Sequence, residues 1–439
     1  MTPPAAVPAL ETAEQARTRT RKVAAATIVG SMLEWYDFYL YATMASIVFG
    51  RIFFDNSDPE SATLAAFATF AIGFVARPLG GIFFGYVGDR FGRRRMLVWT
   101  FSLMGICTAA IGLIPSYATI GIWAPVLLVA FRIVQGLGAG AELAGAAVTA
   151  YEHAASDRRG RQGAWPALGL NLGLLLSSLT VYLLTLGGDE FLLAGGWRIP
   201  FILSFALVFL GLWVRRSLPE TPQYHAIDVA HAPKTPFRTL LSTNMKGLFV
   251  VFLVAIGYNA ISYIFKTFSL AYLTQFKGVP ASTTAFAVTL ASLVAIVAVP
   301  VFGWLCDRFS SKAVLATGGI VAATFAYPFM ALLGTGQATS VYLAIVIGTG
   351  LIAPMMFAPQ GSFLSRQFSV ESRSTGVGTG REIGTAIAGG LAPLWALTMV
   401  ARSPDHSTTG VVAILAVSAF IVVAAALADQ GARFSRARN

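Results

Sequence analysis

Charge is scarce in this sequence: of 439 residues only 12% are Asp, Glu, Lys or Arg, against 56% hydrophobic. A water-soluble domain carries roughly a quarter charged residues, so this surface is made for lipid rather than water. Cysteine is scarce too. Cys107 and Cys306 stand in or at the end of apolar stretches, with no CxxC and no histidine-rich neighbourhood, and read as small buried hydrophobes rather than disulfide partners or metal ligands. The four histidines lie at segment ends or in loops. No GxGxxG, P-loop or HExxH occurs, and no serine or cysteine nucleophile stands in a recognisable frame, so neither an enzyme nor a bound cofactor or metal is expected. The first twenty residues contain no apolar run before a small-residue cleavage site. No signal peptide is expected, and the first hydrophobic segment serves as the insertion signal.

What the chain has in abundance is long apolar runs. Twelve stretches, near 23–50, 62–88, 96–114, 122–150, 164–186, 197–215, 247–274, 283–305, 313–334, 339–363, 374–400 and 409–428, are long enough to cross a hydrocarbon core of about 30 Å as helices. The net charge of +11 then has a topological explanation. With a cytoplasmic N-terminus, the tail and the even-numbered connections hold 23 of the 31 basic residues, against four outside: Arg51, Arg198, Lys277 and Arg402. By the positive-inside rule both termini are expected in the cytoplasm, and no nucleic-acid partner is needed. The remaining four, Arg77, Arg132, Lys266 and Arg381, fall inside the apolar segments.

The expected organisation is a short tail (1–22), a first six-helix bundle (23–215), a polar connection (216–246), a second bundle (247–428) and a short C-terminal tail (429–439). An internal repeat supports the division. Gly85-Tyr-Val-Gly-Asp89-Arg90-Phe91 returns as Gly303-Trp-Leu-Cys-Asp307-Arg308-Phe309, 218 positions later. A parallel repeat of this kind places a substrate site where the halves meet, near the bilayer midplane.

Gly85-x-x-x-Asp89-Arg90-x-Gly92-Arg93-Arg94-Arg95 resembles the loop signature between segments 2 and 3 of the major facilitator superfamily, and the 303–312 copy resembles its usual partner. Arg132-x-x-Gln135-Gly136-x-x-x-Gly140, the stretch from Glu152 to Gly160, and Pro219-Glu220-Thr221 resemble further signatures of that family. Glu34-Trp-Tyr-Asp37-Phe38, Gly73-Phe-x-x-Arg77-Pro-Leu-Gly-Gly81 and Gly196-Trp-Arg-Ile-Pro-Phe201 resemble its metabolite:proton symporter branch, with the first half similar to bacterial shikimate symporters. The resemblance implies an all-α membrane protein of two pseudo-symmetric six-helix bundles in a bacterial inner membrane. It also implies a monomer that works by alternating access and imports a small organic anion with a proton. Betaine or proline symport, and less favourably export, are the alternatives.

The motif residues have physical roles to offer. A carboxylate at Asp89 or Asp307, set near the dipole-positive start of a neighbouring helix with Arg90, Arg93, Arg94 and Arg308 beside it, can hold the halves closed as a cytoplasmic gate; alternatively the arginines only enforce topology. Ionisable groups at bilayer depth are costly unless paired or wetted, so buried acids and bases must be read together. Glu34 and Asp37 share one face of segment 1, with Tyr41 one turn on, while Arg132, Gln135 and Glu142 share one face of segment 4. A buried carboxyl prefers to be neutral and an adjacent guanidinium prefers it charged, so a pair that parts and re-forms can take up and release a proton. Asp37 is the expected proton carrier with Arg132 as partner, Glu142 and Glu34 being the alternatives; a static ion pair is the competing reading.

For substrate, Asn259, Tyr263 and Lys266 form an i, i+4, i+7 stripe on segment 7, and Arg381 and Glu382 open the apolar part of segment 11. Lys266 and Arg381 are two cations that relatives of this branch often lack, and they favour a carboxylate-bearing substrate unless Glu382 neutralises one of them. Gln135, Asn171, Trp165, Tyr41 and Gln360 are further candidates, because amides, phenols and indoles bond hydroxyls or carboxylates without the desolvation cost of an ion.

Overall fold

A computed structural model describes residues 13–54, 59–185, 187–216, 236–403 and 405–429. Among the described residues, eleven helices are long and apolar enough to cross a membrane by themselves. The twelfth is α1, Ala13–Met44, whose hydropathy is lowered by Glu34 and Asp37. The others are α2 (Pro59–Phe91), α3 (Arg93–Leu113), α4 (Trp123–His153), α5 (Trp165–Thr185) and α6 (Arg198–Arg216) in the first half. The second half holds α7 (Met245–Tyr263), α8 (Ala281–Arg308), α9 (Ser311–Gly334), α10 (Ala338–Ser365, in several turns), α11 (Arg373–Arg402) and α12 (Thr409–Leu427).

The repeat read from the motifs is carried by the packing. α1 lies on α5, α2 on α4 and α3 on α6; likewise α7 lies on α11, α8 on α10 and α9 on α12. Wide π turns interrupt α1 at Ala45–Phe49 and α7 at Ile264–Phe268, near the repeat spacing. The halves meet through α2 against α11, α5 against α8, and α4 against α10 and α11. Glycines make these crossings. A Cβ on Gly361 would strike the Gly163 carbonyl, and one on Gly81 would come 3.1 Å from the Gly378 carbonyl, so backbone lies on backbone.

Two boundaries move from the sequence expectation. α1 starts ten residues before the apolar run, because alanine, arginine and glutamine are good helix formers and the helix continues into water. Its 32 residues span about 48 Å, well beyond a core of about 30 Å. Within the expected connection, Pro236–Thr243 is a short helix and the Asn244 side chain caps α7 by accepting from Gly247 N; 217–235 lies outside the described residues.

Candidate functional site

Asp37 is buried between α1, α3 and α6. Thr108 Oγ1 donates to its Oδ2 at 2.9 Å and Ser204 Oγ to its Oδ1 at 3.0 Å. Thr108 in turn receives Gln135 Nε2 at 2.7 Å, and Gln135 Oε1 accepts from Arg132 Nη1 at 2.5 Å. Arg132 stacks over the Tyr41 ring at 3.8 Å, and the Tyr41 hydroxyl bonds Thr69. The direct Asp37–Arg132 pair expected from the sequence is therefore corrected. The two ends are joined by Thr108 and Gln135, because α3 places a hydroxyl between α1 and α4. Glu142 also stands apart from Arg132; it accepts from Thr100 Oγ1 at 3.0 Å.

A second chain of charges crosses between the halves. Arg77 Nη2 donates to Glu34 at 3.2 Å and Arg77 Nε to Glu382 at 2.6 Å; Glu382 also receives Arg381. Arg77 additionally reaches the Ala139 carbonyl at 3.4 Å, beside the Pro78 and glycine run of α2. All four ionic side chains are at least nine-tenths buried, two of each sign. Arg381 is thus matched by Glu382, the neutralised alternative weighed from the sequence.

At the arginine-rich end, Asp89 sits where α11 begins. It accepts Thr375 N at 2.9 Å, Thr375 Oγ1 at 2.5 Å and Ser374 N at 3.2 Å across the two halves, and pairs with Arg93 at 3.0 Å. Arg93 also bonds the carbonyls of Gly88 and Val370, while Glu152 receives Arg373 at 2.9 Å. The repeat copy behaves alike: Asp307 accepts Gly160 N at 2.6 Å and Arg161 N at 3.2 Å, ahead of α5. Gly92, at φ 103°, allows the turn from α2 into α3 that brings Arg93 back onto Asp89. Arg90, Arg94 and Arg308 are exposed, with Arg90 over Tyr86 and Arg308 over Trp304. Arg93, by contrast, is fully buried and turned inward onto Asp89.

The remaining candidates divide. Asn259 donates to Thr385 Oγ1 on α11 at 3.0 Å, and the Tyr263 ring meets Phe74 across the halves at 5.8 Å. The stripe does not continue to Lys266: the π turn begins at Ile264 and widens the helix, so Lys266 leaves the line and is half-buried. No carboxylate among the described residues lies within ion-pairing distance of it. Asn171 and Gln360 donate back to their own helices, at Ala167 O (2.8 Å) and Met356 O (3.3 Å). Gln360 and Arg381 line a cavity of about 20 Å³ between α4, α5, α10 and α11, room for about one water. Trp165 packs instead with Val23, Ala26, Phe84, Val87, Met96 and Leu97. Sequence reasoning does not place Thr108, Ser204, Glu152, Arg373 or Thr375 in the site, and it assigns no partner to Arg77. Among the described residues no group of three or more His, Cys, Asp or Glu is placed to hold a metal ion.

Residues 27–393 match the family model described as Major Facilitator Superfamily. The shikimate transporter of Escherichia coli K12 is 36% identical over 388 residues, covering 87% of this chain and 88% of that protein. The inner membrane metabolite transport protein YhjE of the same organism is 39% identical, covering 85% and 86%. The proline/betaine transporter of Salmonella typhimurium is 32% identical, covering 88% and 79%. Among solved structures, a proton:xylose symporter bound to a bromodeoxyglucose superposes with a TM-score of 0.75 at 15% identity, covering 94% of this chain and 95% of the other, a likeness of fold alone. The chain is a multi-pass membrane transporter that belongs to the Major Facilitator Superfamily.

Proposed function

We propose that this transporter imports a small organic carboxylate together with a proton by alternating access, with both termini in the cytoplasm of a bacterial inner membrane. The observation that carries the reading is Asp37: a buried carboxyl held by two neutral hydroxyls, Thr108 and Ser204, and linked to Arg132 through Thr108 and Gln135. A hydroxyl can donate to a carboxylate or accept from a carboxylic acid, so this site accommodates either protonation state without breaking an ion pair. Asp89 and Asp307, each on the first N–H groups of a helix in the opposite half, are the two cytoplasmic latches in this scheme. The helix starts carry a partial positive charge that favours the carboxylates. Water can replace those bonds when the halves part.

The similarity to a shikimate transporter supports a carboxylate, with shikimate, di- or tricarboxylates and 2-oxoglutarate as the class, and Lys266 is the cation available to it. A betaine or proline substrate is the second reading. It is favoured by the 32% identical relative and by the balanced signs of the cross-half charge chain, which suit a zwitterion. Uptake by proteoliposomes under an imposed pH gradient, with shikimate, quinate, citrate, tricarballylate, 2-oxoglutarate, aromatic acids and betaine, tests both. Accumulation of a carboxylate that collapses with the gradient is expected. Accumulation of betaine alone selects the second reading, and accumulation indifferent to the gradient refutes proton coupling.

A further inference from the structure

The charge chain between the halves has more to say about how an anion and a proton are bound together. Glu382 is its centre. Its two carboxylate oxygens face two guanidiniums, Oε2 on Arg77 of the first half at 2.6 Å and Oε1 on Arg381 of its own helix. A carboxylate between two forked donors is the arrangement by which a protein grips a carboxylate ligand. Here the ligand position is filled from within.

A second observation points to a missing ligand. The Tyr263 hydroxyl, in a side chain more than nine-tenths buried, has no hydrogen-bond partner, and neither has the second oxygen of Glu34. Buried polar atoms are nearly always satisfied, so such an orphan calls for an occupant. Tyr263 lies within electrostatic reach of Arg77, Arg381 and Glu382. Arg381 also lines the small cavity between the halves.

We propose that Glu382 is an internal stand-in for the substrate's carboxylate: protonation of Glu382 releases Arg77 and Arg381, which then take the substrate carboxylate, with the Tyr263 hydroxyl as a further donor. The inference rests on the carboxylate symport proposed above and names the position where that carboxylate sits. The charge balance makes the two events obligatory partners. Glu34, Arg77, Glu382 and Arg381 sum to zero, so an added carboxylate leaves an uncompensated buried charge unless one proton arrives with it. The proton enters as H⁺ on a Glu382 oxygen and leaves from it when the substrate departs and the guanidiniums return. The groups facing Glu382 are Arg77 from α2 and Arg381 from α11, with Glu34 from α1, Glu142 from α4 and Tyr263 and Tyr258 from α7 around them, and Arg132 of α4 near Arg77. Glu382 touches guanidiniums of both halves.

The test measures binding of shikimate, or of whichever carboxylate in the uptake panel the wild type accumulates, to the purified full-length protein by calorimetry from about pH 5 to about pH 8. Buffers of different ionisation enthalpy report the protons taken up. The wild type is expected to bind the carboxylate with one proton, its affinity falling by about tenfold per pH unit at the alkaline end. Glu382→Gln should bind with an affinity independent of pH and with no proton uptake at this site. Arg77→Gln and Arg381→Gln should each lose at least about tenfold in affinity at every pH. Should Glu382→Gln fold poorly, proton uptake by the wild type decides the matter, because binding of the carboxylate with no proton is incompatible with the charge balance. If the wild type binds the carboxylate without a proton, or if uptake persists in Glu382→Gln, the proposal is overturned while symport stands. A wild type that accumulates no carboxylate from the panel refutes the functional reading itself.

Discussion

Replacing Asp89 by asparagine removes a single charge from the contact that joins α2 to α11. In the closed arrangement its carboxylate accepts from Ser374 N, Thr375 N and Thr375 Oγ1 and pairs with Arg93, all out of contact with water. The amide keeps one acceptor oxygen but turns an NH₂ toward donors, so at least one charge-assisted bond is lost, while Arg93 keeps its bonds to Gly88 O and Val370 O and the more distant Glu152. A hydrogen bond to a charged group contributes about 1.5–3 kcal/mol, and in the open arrangement water replaces it at little cost. A net loss of about 2–3 kcal/mol from the closed state shifts the closed-to-open ratio roughly 30- to 150-fold. The assay is maleimide labelling in detergent of Ala147→Cys, in a background with Cys107 and Cys306 replaced. Ala147 lines the small cavity between α4, α5, α10 and α11 and is shielded while the latch holds. Labelling at Ala147→Cys should accelerate by at least tenfold in Asp89→Asn. An unchanged rate in a protein of unchanged thermal stability refutes the latch.

Asp37→Asn should abolish uphill, gradient-driven accumulation in proteoliposomes yet leave substrate counterflow, since the amide keeps its bonds to Thr108 and Ser204 but cannot exchange a proton, so Glu382 is no longer supplied through it; normal accumulation would leave Glu382 as the carrier without Asp37. Lys266→Gln should weaken carboxylate binding by roughly 2–5 kcal/mol if its ammonium reads the anion, with expression unaffected, and calorimetry giving wild-type affinity counts against that role. Gly361→Ala places a methyl against the Gly163 carbonyl, so it should cost about 1–3 kcal/mol of the closed state and speed labelling at Ala147→Cys. Unaltered labelling would mean that α5 and α10 can shift without opening.

Much of this architecture is legible in the residues, and the limits have physical causes. Apolar run length exposes the membrane helices, and the Asp89 and Asp307 copies expose the repeat. Helical periodicity puts Glu34 with Asp37 and Arg132 with Gln135, but it is silent on what a third helix inserts between them. Thr108 and Ser204 look like packing residues in apolar helices because a hydroxyl can always satisfy itself on its own backbone, as both also do on Met104 and Pro200. The Arg77–Glu382 contact joins residues 305 positions apart and depends on how the halves dock. Lys266 was misplaced for a different reason: a π turn leaves no distinctive composition, so a stripe drawn at 3.6 residues per turn overruns it.

The glycine crossings at Gly81–Gly378 and Gly163–Gly361 bear on speed rather than on stability. Interdigitated side chains must change rotamer before two helices can separate, whereas bare backbones slide apart like smooth plates. The closed face therefore offers little friction of its own. Under the proposed alternating access, opening is then expected to be timed by the rupture of a few charged contacts at its rim, and turnover to respond to ions, protons and substrate that reach them.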